Sequence, residues 1–282
     1  METSQSTQLL FVRQNEAFVD ADSDHYYFQN PMRANKGNAI LVELMEAEIP
    51  ISYYLITPHN NLLKVVINNV AYPVTIPMQN YNINELITQL ETLFSVYSSI
   101  FTFTATFNTQ TQKLSFNVTA ASMTNFEIHP DTTINKVIGF TPNQTSTIAT
   151  STSHTIVGTN VVNLNRTLNV YVRTNMKLNN INAQGEINGT ISKLQVDKSF
   201  GDIVHYHNYE GMKFKIADDT ISHLEVTLED DDGKKIDFNG LEYHLTFAFV
   251  YVKEQLQEYK ETFADKVKEL EAKRPDDDSE EE

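Results

Sequence analysis

Histidine is the residue type best placed to do chemistry in this chain. His205 and His207 stand two apart, so on a strand they share one face. With His223 or His244 on a neighbouring strand they could hold a zinc ion. No carboxylate or further ligand stands at a fixed short spacing from them, so no metal site is expected. Asp230, Asp232 and Gly233 lie in a stretch like a calcium loop. With Gly233 at the sixth position, an EF-hand needs an acidic first residue and a terminal glutamate. Leu228 and Asn239 occupy those places, and the Asp-Gly pair reads as a tight hairpin turn. Glu46 and Glu48 share a strand face, but the chain has no tryptophan for sugar stacking, and exposed strand charge explains the pair. Cysteine is absent, and neither a Gly-x-Ser-x-Gly elbow, a phosphate loop nor a dinucleotide fingerprint occurs. Catalytic, cofactor-binding and metal-binding residues are therefore not expected, and the chain reads as a non-enzyme without cofactors.

Composition narrows the classes further. The 282 residues suffice for one large or two ordinary domains. No apolar run is long enough for a transmembrane helix, and Met1–Gln8 lacks the pattern of a secretory signal. The absence of cysteine excludes a disulfide framework and fits assembly in a reducing compartment. Four Asn-x-Ser/Thr sequons, at Asn117, Asn143, Asn165 and Asn188, are read as chance in an Asn- and Thr-rich chain. The formal net charge of −16 argues against a nucleic-acid grip, which needs clustered Lys and Arg. Much of the acid lies in Asp276–Glu282, read either as a solvated tail or as a contact for a basic surface.

The elements that would position these residues follow from periodicity. Residues 1–37 read as an N-terminal arm with a short strand at Leu9–Arg13 and a turn at Asn30-Pro31. Its aromatics, Phe11, Phe18, Tyr26, Tyr27 and Phe28, would dock on a neighbour or on their own domain. Residues 38–57 hold two expected strands, Ala39–Ile49 and Ile51–Ile56. Residues 58–140 read as a separate ββαβββα module. Within it, Asn82 and Glu85 form a capping box for a helix reaching about Val96. Asp131 is expected to cap a second, short helix that Gly139 closes. Residues 141–160 are Thr, Ser and Asn almost throughout and read as a linker. Strands resume within Val161–Thr174 and recur at Gly189–Val196, Ile203–His207, Lys213–Ile216, Ile221–Glu229 and Tyr243–Val252. Eight antiparallel strands in two sheets is the count of a jelly roll. The expected fold is thus mainly β: a single jelly-roll sandwich (38–57 with 161–252), an inserted small α+β module and a C-terminal helix over 253–273. That helix carries the stripe Leu256, Tyr259, Phe263, Val267 and Leu270, and either lies on its own sandwich or docks on a partner. Residues 274–282 form the acidic tail.

Three stretches carry a resemblance: Gly201–Tyr206, Ile221–Leu228 and Asp231–Gly240. They resemble the final strands of jelly-roll minor capsid and penton proteins of large eukaryotic double-stranded DNA viruses, including virophages and polinton-like viruses. The module is similar to one in such virion proteins, through Ile76-Pro77, Tyr81-Asn82, Phe103–Thr106 and Ile138–Phe140. The resemblance spans roughly residues 38–252. It implies a structural virion protein, first a penton subunit at the vertices and next a minor protein cementing major-capsid capsomers from inside. The partners implied are the major capsid protein, other minor capsid proteins and further copies of this chain, a pentamer if a penton. The location implied is the virion, after assembly in host cytoplasm or nucleus. A reading of another class is a glycan- or receptor-binding module, with Tyr72, Tyr81 and Tyr97 as its aromatic candidates.

Overall fold

A computed structural model describes residues 6–19, 23–34, 38–165, 167–179 and 189–253. Strands β1 (Ser6–Arg13), β2 (Phe18–Val19), β3 (Asp24–Arg33) and β4 (Asn38–Pro50) come first. Next come β5 (Leu62–Ile67), β6 (Val70–Thr75), helix α1 (Ile83–Phe94), β7 (Thr102–Asn108), β8 (Lys113–Thr119) and β9 (Phe126–Ile128). Helix α2 (Asn135–Ile138), β10 (Ile148–Ala149) and β11 (Ser153–Val157) follow. The chain closes with β12 (Asn169–Thr174), β13 (Thr190–Gln195), β14 (Ile203–His207), β15 (Phe214–Lys215), β16 (Thr220–Glu229) and β17 (His244–Lys253). Two compact units result, one from Met1–Tyr53 with Leu168–Glu282 and one from Tyr54–Thr167.

The first unit is a sandwich of two antiparallel sheets. One runs β1-β17-β4-β14, with β15 also on β4; the other runs β13-β12-β16-β3-β2. Setting aside the two-residue strands β2 and β15, the first strand pairs the last, the third pairs the last and the sixth, and the second pairs the seventh. The fourth pairs the fifth and the seventh. That order is a jelly roll. One residue in two points inward, as strand geometry requires. Val170, Val172, Leu224, Val226 and Leu228 from one sheet meet Ile40, Val42, Leu44, Leu245, Phe247 and Phe249 from the other in a single core.

The parity of β4 changes along its length. Ile40, Val42 and Leu44 point inward, and so do Ala47 and Ile49. The register against β17 shifts between Thr246↔Glu46 and Phe247↔Leu44, leaving Met45 as the extra residue of a bulge. The bulge turns Glu46 and Glu48 to the outer face while the strand keeps its apolar side on the core.

The second unit has its own core. Leu86, Leu90 and Phe94 of α1 pack with Phe103, Phe116, Phe126, Ile138 and Ile156. The Asn82/Glu85 capping box is present, with both reciprocal bonds. The turn between β5 and β6 has Asn68 and Asn69 at φ of 50° and 63°, the pair of positive angles a two-residue hairpin needs. Gly139 closes α2 at φ 76°, where a Cβ would stand 2.5 Å from the Asn160 carbonyl oxygen.

Asp131 does not cap α2, which follows Ile134 without a side-chain cap; it pairs with Lys64 Nζ at 3.0 Å instead. Four segments also differ from their sequence reading. The arm expected over residues 1–37 is sheet in its described part: β1, within which the expected short strand Leu9–Arg13 falls, and β3 are full members of the two sheets. Their alternation is masked because β1 is an edge strand with Leu9 and Phe11 on its exposed side, and because the β3 ladder is interrupted between Tyr27 and Met32. That gap accommodates Pro31, which cannot donate to a ladder. Ile51–Ile56 is irregular chain, not a strand. It is apolar because it is buried, and the Ile51 N–H bonds the Asp202 carbonyl in the loop before β14. Residues 141–160 are not a linker: β11 pairs β8 over Ser153–Val157, with Ile156 in the core. Thr and Ser suit a half-exposed strand as well as a loop, which is why composition misled there. The strand expected within Val161–Thr174 forms only over Asn169–Thr174. The expected C-terminal helix and acidic tail lie outside the described residues.

Candidate functional site

The outer face of the β1-β17-β4-β14 sheet gathers most of the residues weighed for chemistry. His205 on β14, Glu48 on β4 and His244 on β17 stand in register across three strands. Glu48 lies 3.7 Å from His205 Nδ1 and 3.4 Å from His244 Nδ1, one carboxylate oxygen toward each ring. One pair along, His207 Nδ1 lies 3.4 Å from Glu46 Oε1. The β4 bulge puts this ladder on the outer face: with unbroken alternation from Ile40, Val42 and Leu44, Glu46 and Glu48 would point inward. His223 is not part of it. It sits on β16 in the other sheet, where its Nε2 is 3.1 Å from Glu225 and its ring stacks on Tyr27. The four histidines considered for zinc are thus divided between two sheets. Among the described residues, no group of three potential ligands is arranged to hold a metal ion.

Aromatic rings bound the same face. Phe11 on β1 is 66% exposed and stands in register with Thr246, itself in register with Glu46. Tyr209, 89% exposed in the turn after β14, packs its ring 4.5 Å from that of His207. Between them is a hollow of about 450 Å³ with Glu46, Glu48, His205 and His244 in its lining. A second hollow of about 550 Å³ adjoins it through Tyr206, His207 and Tyr209. Glu43, further along β4, has its charge met: it is 9% exposed, lies 3.6 Å from Lys213 Nζ and accepts from Asn208. Among the described residues, the ionic partners of Glu46 and Glu48 are imidazoles.

The remaining candidates have structural roles. Asp230 Oδ1 accepts from the N–H groups of Asp232 and Lys234, and Gly233 has φ 70°, so this acidic stretch is a turn braced by its own aspartate. Tyr72, Tyr81 and Tyr97 do not form an open aromatic site. Tyr81 is buried with its hydroxyl on the Pro77 carbonyl, while Tyr72 and Tyr97 pack edge to face and the Tyr97 hydroxyl bonds the Pro73 carbonyl. The Asn117 amide donates to Ser153 and Thr155 across the β8–β11 pair, which ties up that sequon.

Sequence reasoning missed one polar cluster inside the sandwich. Asp24 is 1% exposed, with Lys235 Nζ at 2.9 Å and the Tyr243 hydroxyl donating to its other oxygen. With that proton committed, the Tyr26 hydroxyl donates to Tyr243, 3.3 Å away. Burial pushes the Tyr26 phenol up to about 12. Burial, with Tyr26 and Asp24 beside it, raises Tyr243 as well. The cluster joins β3 of one sheet to the start of β17 in the other, and is a clamp between sheets.

No family model matches this sequence, and no curated protein matches it. Among solved structures, the chain is similar to the crystal structure of the selenomethionine-labelled mavirus penton protein. The identity is 11% and the TM-score 0.44, over 88% of this chain and all of that one.

Proposed function

We propose that this chain is a structural subunit of a viral capsid, a minor component that forms the penton at the five-fold vertices. One observation carries the reading: the strand order β1-β17-β4-β14 against β13-β12-β16-β3 is a complete jelly roll, with a second folded unit between its third and fourth strands. A sandwich of this kind works by shape, through faces and edges that meet neighbours in closed rings. Among the described residues, both edges of the first sheet, β1 and β14, have a paired strand on one side only. Two of the stretches that carry the resemblance to capsid proteins, Gly201–Tyr206 and Ile221–Leu228, include most of β14 and most of β16. The partners proposed are further copies of this chain, the major capsid protein and other minor shell proteins, in the virion.

The test is the mass of the purified full chain by native mass spectrometry, together with its position in density of particles that contain it. A pentamer seated at the vertices is expected. Density beneath the hexagonal capsomers would replace the penton with the cementing role. A chain that stays monomeric and is missing from particles would overturn the capsid reading altogether.

A further inference from the structure

The hollow on the outer sheet face has the chemistry of a receptor for a positively charged side chain. Its floor holds two carboxylates, Glu46 and Glu48, on one strand and turned outward by the bulge at Met45. Its walls are aromatic: Phe11 on one side and, on the other, Tyr209, whose ring is tilted 56° against that of His207. A cation beside aromatic rings and above carboxylates gains from both. The volume, about 450 Å³, lies within the range of small-ligand clefts.

The charge balance of the face points the same way. Lys213 is engaged with Glu43. Arg13, in register with His244 at the end of β1, does not line the hollow. The groups facing the two carboxylates across the strands are His205, His207 and His244. A neutral imidazole offers one donor and no net charge. Phe11 and Tyr209 are also among the most exposed large apolar residues of the described chain, and both bound this one hollow.

We infer that this hollow binds an arginine or lysine side chain presented on an extended basic segment of a partner protein. The inference goes beyond the capsid reading and does not depend on it. The segment crosses the face with its cation between Phe11 and Tyr209, and the carboxylates of Glu46 and Glu48 take the charge.

The full chain is titrated, at near-physiological salt, with an acetylated alternating Ala/Arg hexapeptide amide. Controls are the same peptide with citrulline for arginine and an alternating Ala/Glu peptide. Calorimetry gives affinity, and the imidazole NMR signals of His205, His207 and His244 report location. Saturable binding of the arginine peptide, with those signals moving, is expected, and the citrulline peptide should not compete. Glu46→Gln with Glu48→Gln should weaken binding about tenfold, the scale of a lost charge-assisted contact in a partly desolvated site. Phe11→Ala should weaken it about threefold, as loss of one exposed cation–π wall does. Neutralising Asp276, Asp277 and Asp278 to asparagine should leave it unchanged. These positions are all exposed or terminal, and an unchanged melting temperature certifies each variant as folded. No binding, equal binding of the citrulline peptide, indifference to the double glutamine variant, or a loss on tail neutralisation as large as that variant's would each overturn the proposal. Binding by a chain that stays out of particles would defeat the capsid reading alone. A chain that enters particles but ignores the peptide would defeat only this inference.

Discussion

Asp24 is the residue on which the sandwich interior is most exacting. A carboxylate out of water is tolerated only when its oxygens are bonded and its charge matched. Here Lys235 supplies the charge and Tyr243 the second bond. Tyr243→Phe removes a donor from a buried anion and should cost about 1–3 kcal/mol in urea unfolding. The same cluster makes stability sensitive to alkali. Tyr26 and Tyr243 both hold their protons more firmly when folded. Above tyrosine's ordinary value the unfolded chain releases protons that the folded chain keeps, so the unfolded state binds fewer and stability falls as pH rises. The contribution is whole below 10.0, and for Tyr26 it is lost as pH climbs toward about 12. Unfolding free energy measured against pH across that window should decline, and less steeply in Tyr26→Phe. An equal slope in both proteins would show that other groups set the alkaline limit. The core itself is simpler. Leu224 and Val226 are fully buried, as the alternation of their strand implies. Val226→Asp places a charge there without a partner and should cost on the order of 3–5 kcal/mol. A variant that stays natively folded by near-ultraviolet circular dichroism would count against this.

Elements were legible in the sequence wherever a local signal coincides with a local interaction. The capping box at Asn82 and Glu85 is one, since both bonds close within three residues. The Gly139 cap is another, fixed by a left-handed backbone position. What stayed illegible depends on pairing over long distances. The arm-like look of residues 6–33 hides β3 and the full length of β1, whose partners, β16 and β17, lie some two hundred residues on. The site is the same case. Glu46 and Glu48 read as idle surface charge because the histidines that meet them come from β14 and β17. The bulge is what turns this set to the outer face, and its trace in the sequence is the parity change between Leu44 and Ala47. Phe11 and Tyr209 carried a fainter sign, as large rings in an exposed strand and a polar turn. At this scale, Gly139→Ala should destabilise the second unit more than Asn82→Ala does. The cap change loses about 1 kcal/mol. The glycine change forces a strained φ and drives a Cβ into the Asn160 and Val161 carbonyl oxygens. Hydrogen exchange of amides in β7 and β8 gives the local opening free energies of both variants. Equal values would mean that the chain around Asn160 moves aside freely.

At the scale of the whole molecule the governing fact is that there are two cores and that the segment building one interrupts the chain that builds the other. The sandwich cluster and the module cluster share no residue, and the chain passes between the units at Tyr53/Tyr54 and Thr167/Leu168. Every strand pair of the jelly roll is made without a residue from 54–167. The insert therefore acts on the sandwich as a long loop, and lengthening a loop costs little because closure entropy grows only with the logarithm of its length. If the capsid reading is right, the surfaces that join copies into a ring belong to the sandwich. The net charge of −16 opposes that association through repulsion between like copies, so rings should be favoured by salt that screens it. Replacing residues 54–167 with a short Gly/Ser bridge should then leave a protein that unfolds in one cooperative step. That protein should also form oligomers of the same copy number as the full chain, with the same rise in association as salt increases. Calorimetry settles the first point and native mass spectrometry across ionic strengths the second. Cooperative unfolding with loss of the oligomer would assign the ring contacts to the inserted unit. Loss of cooperativity would mean that the sandwich needs its insert to fold, and the two-core account would fall.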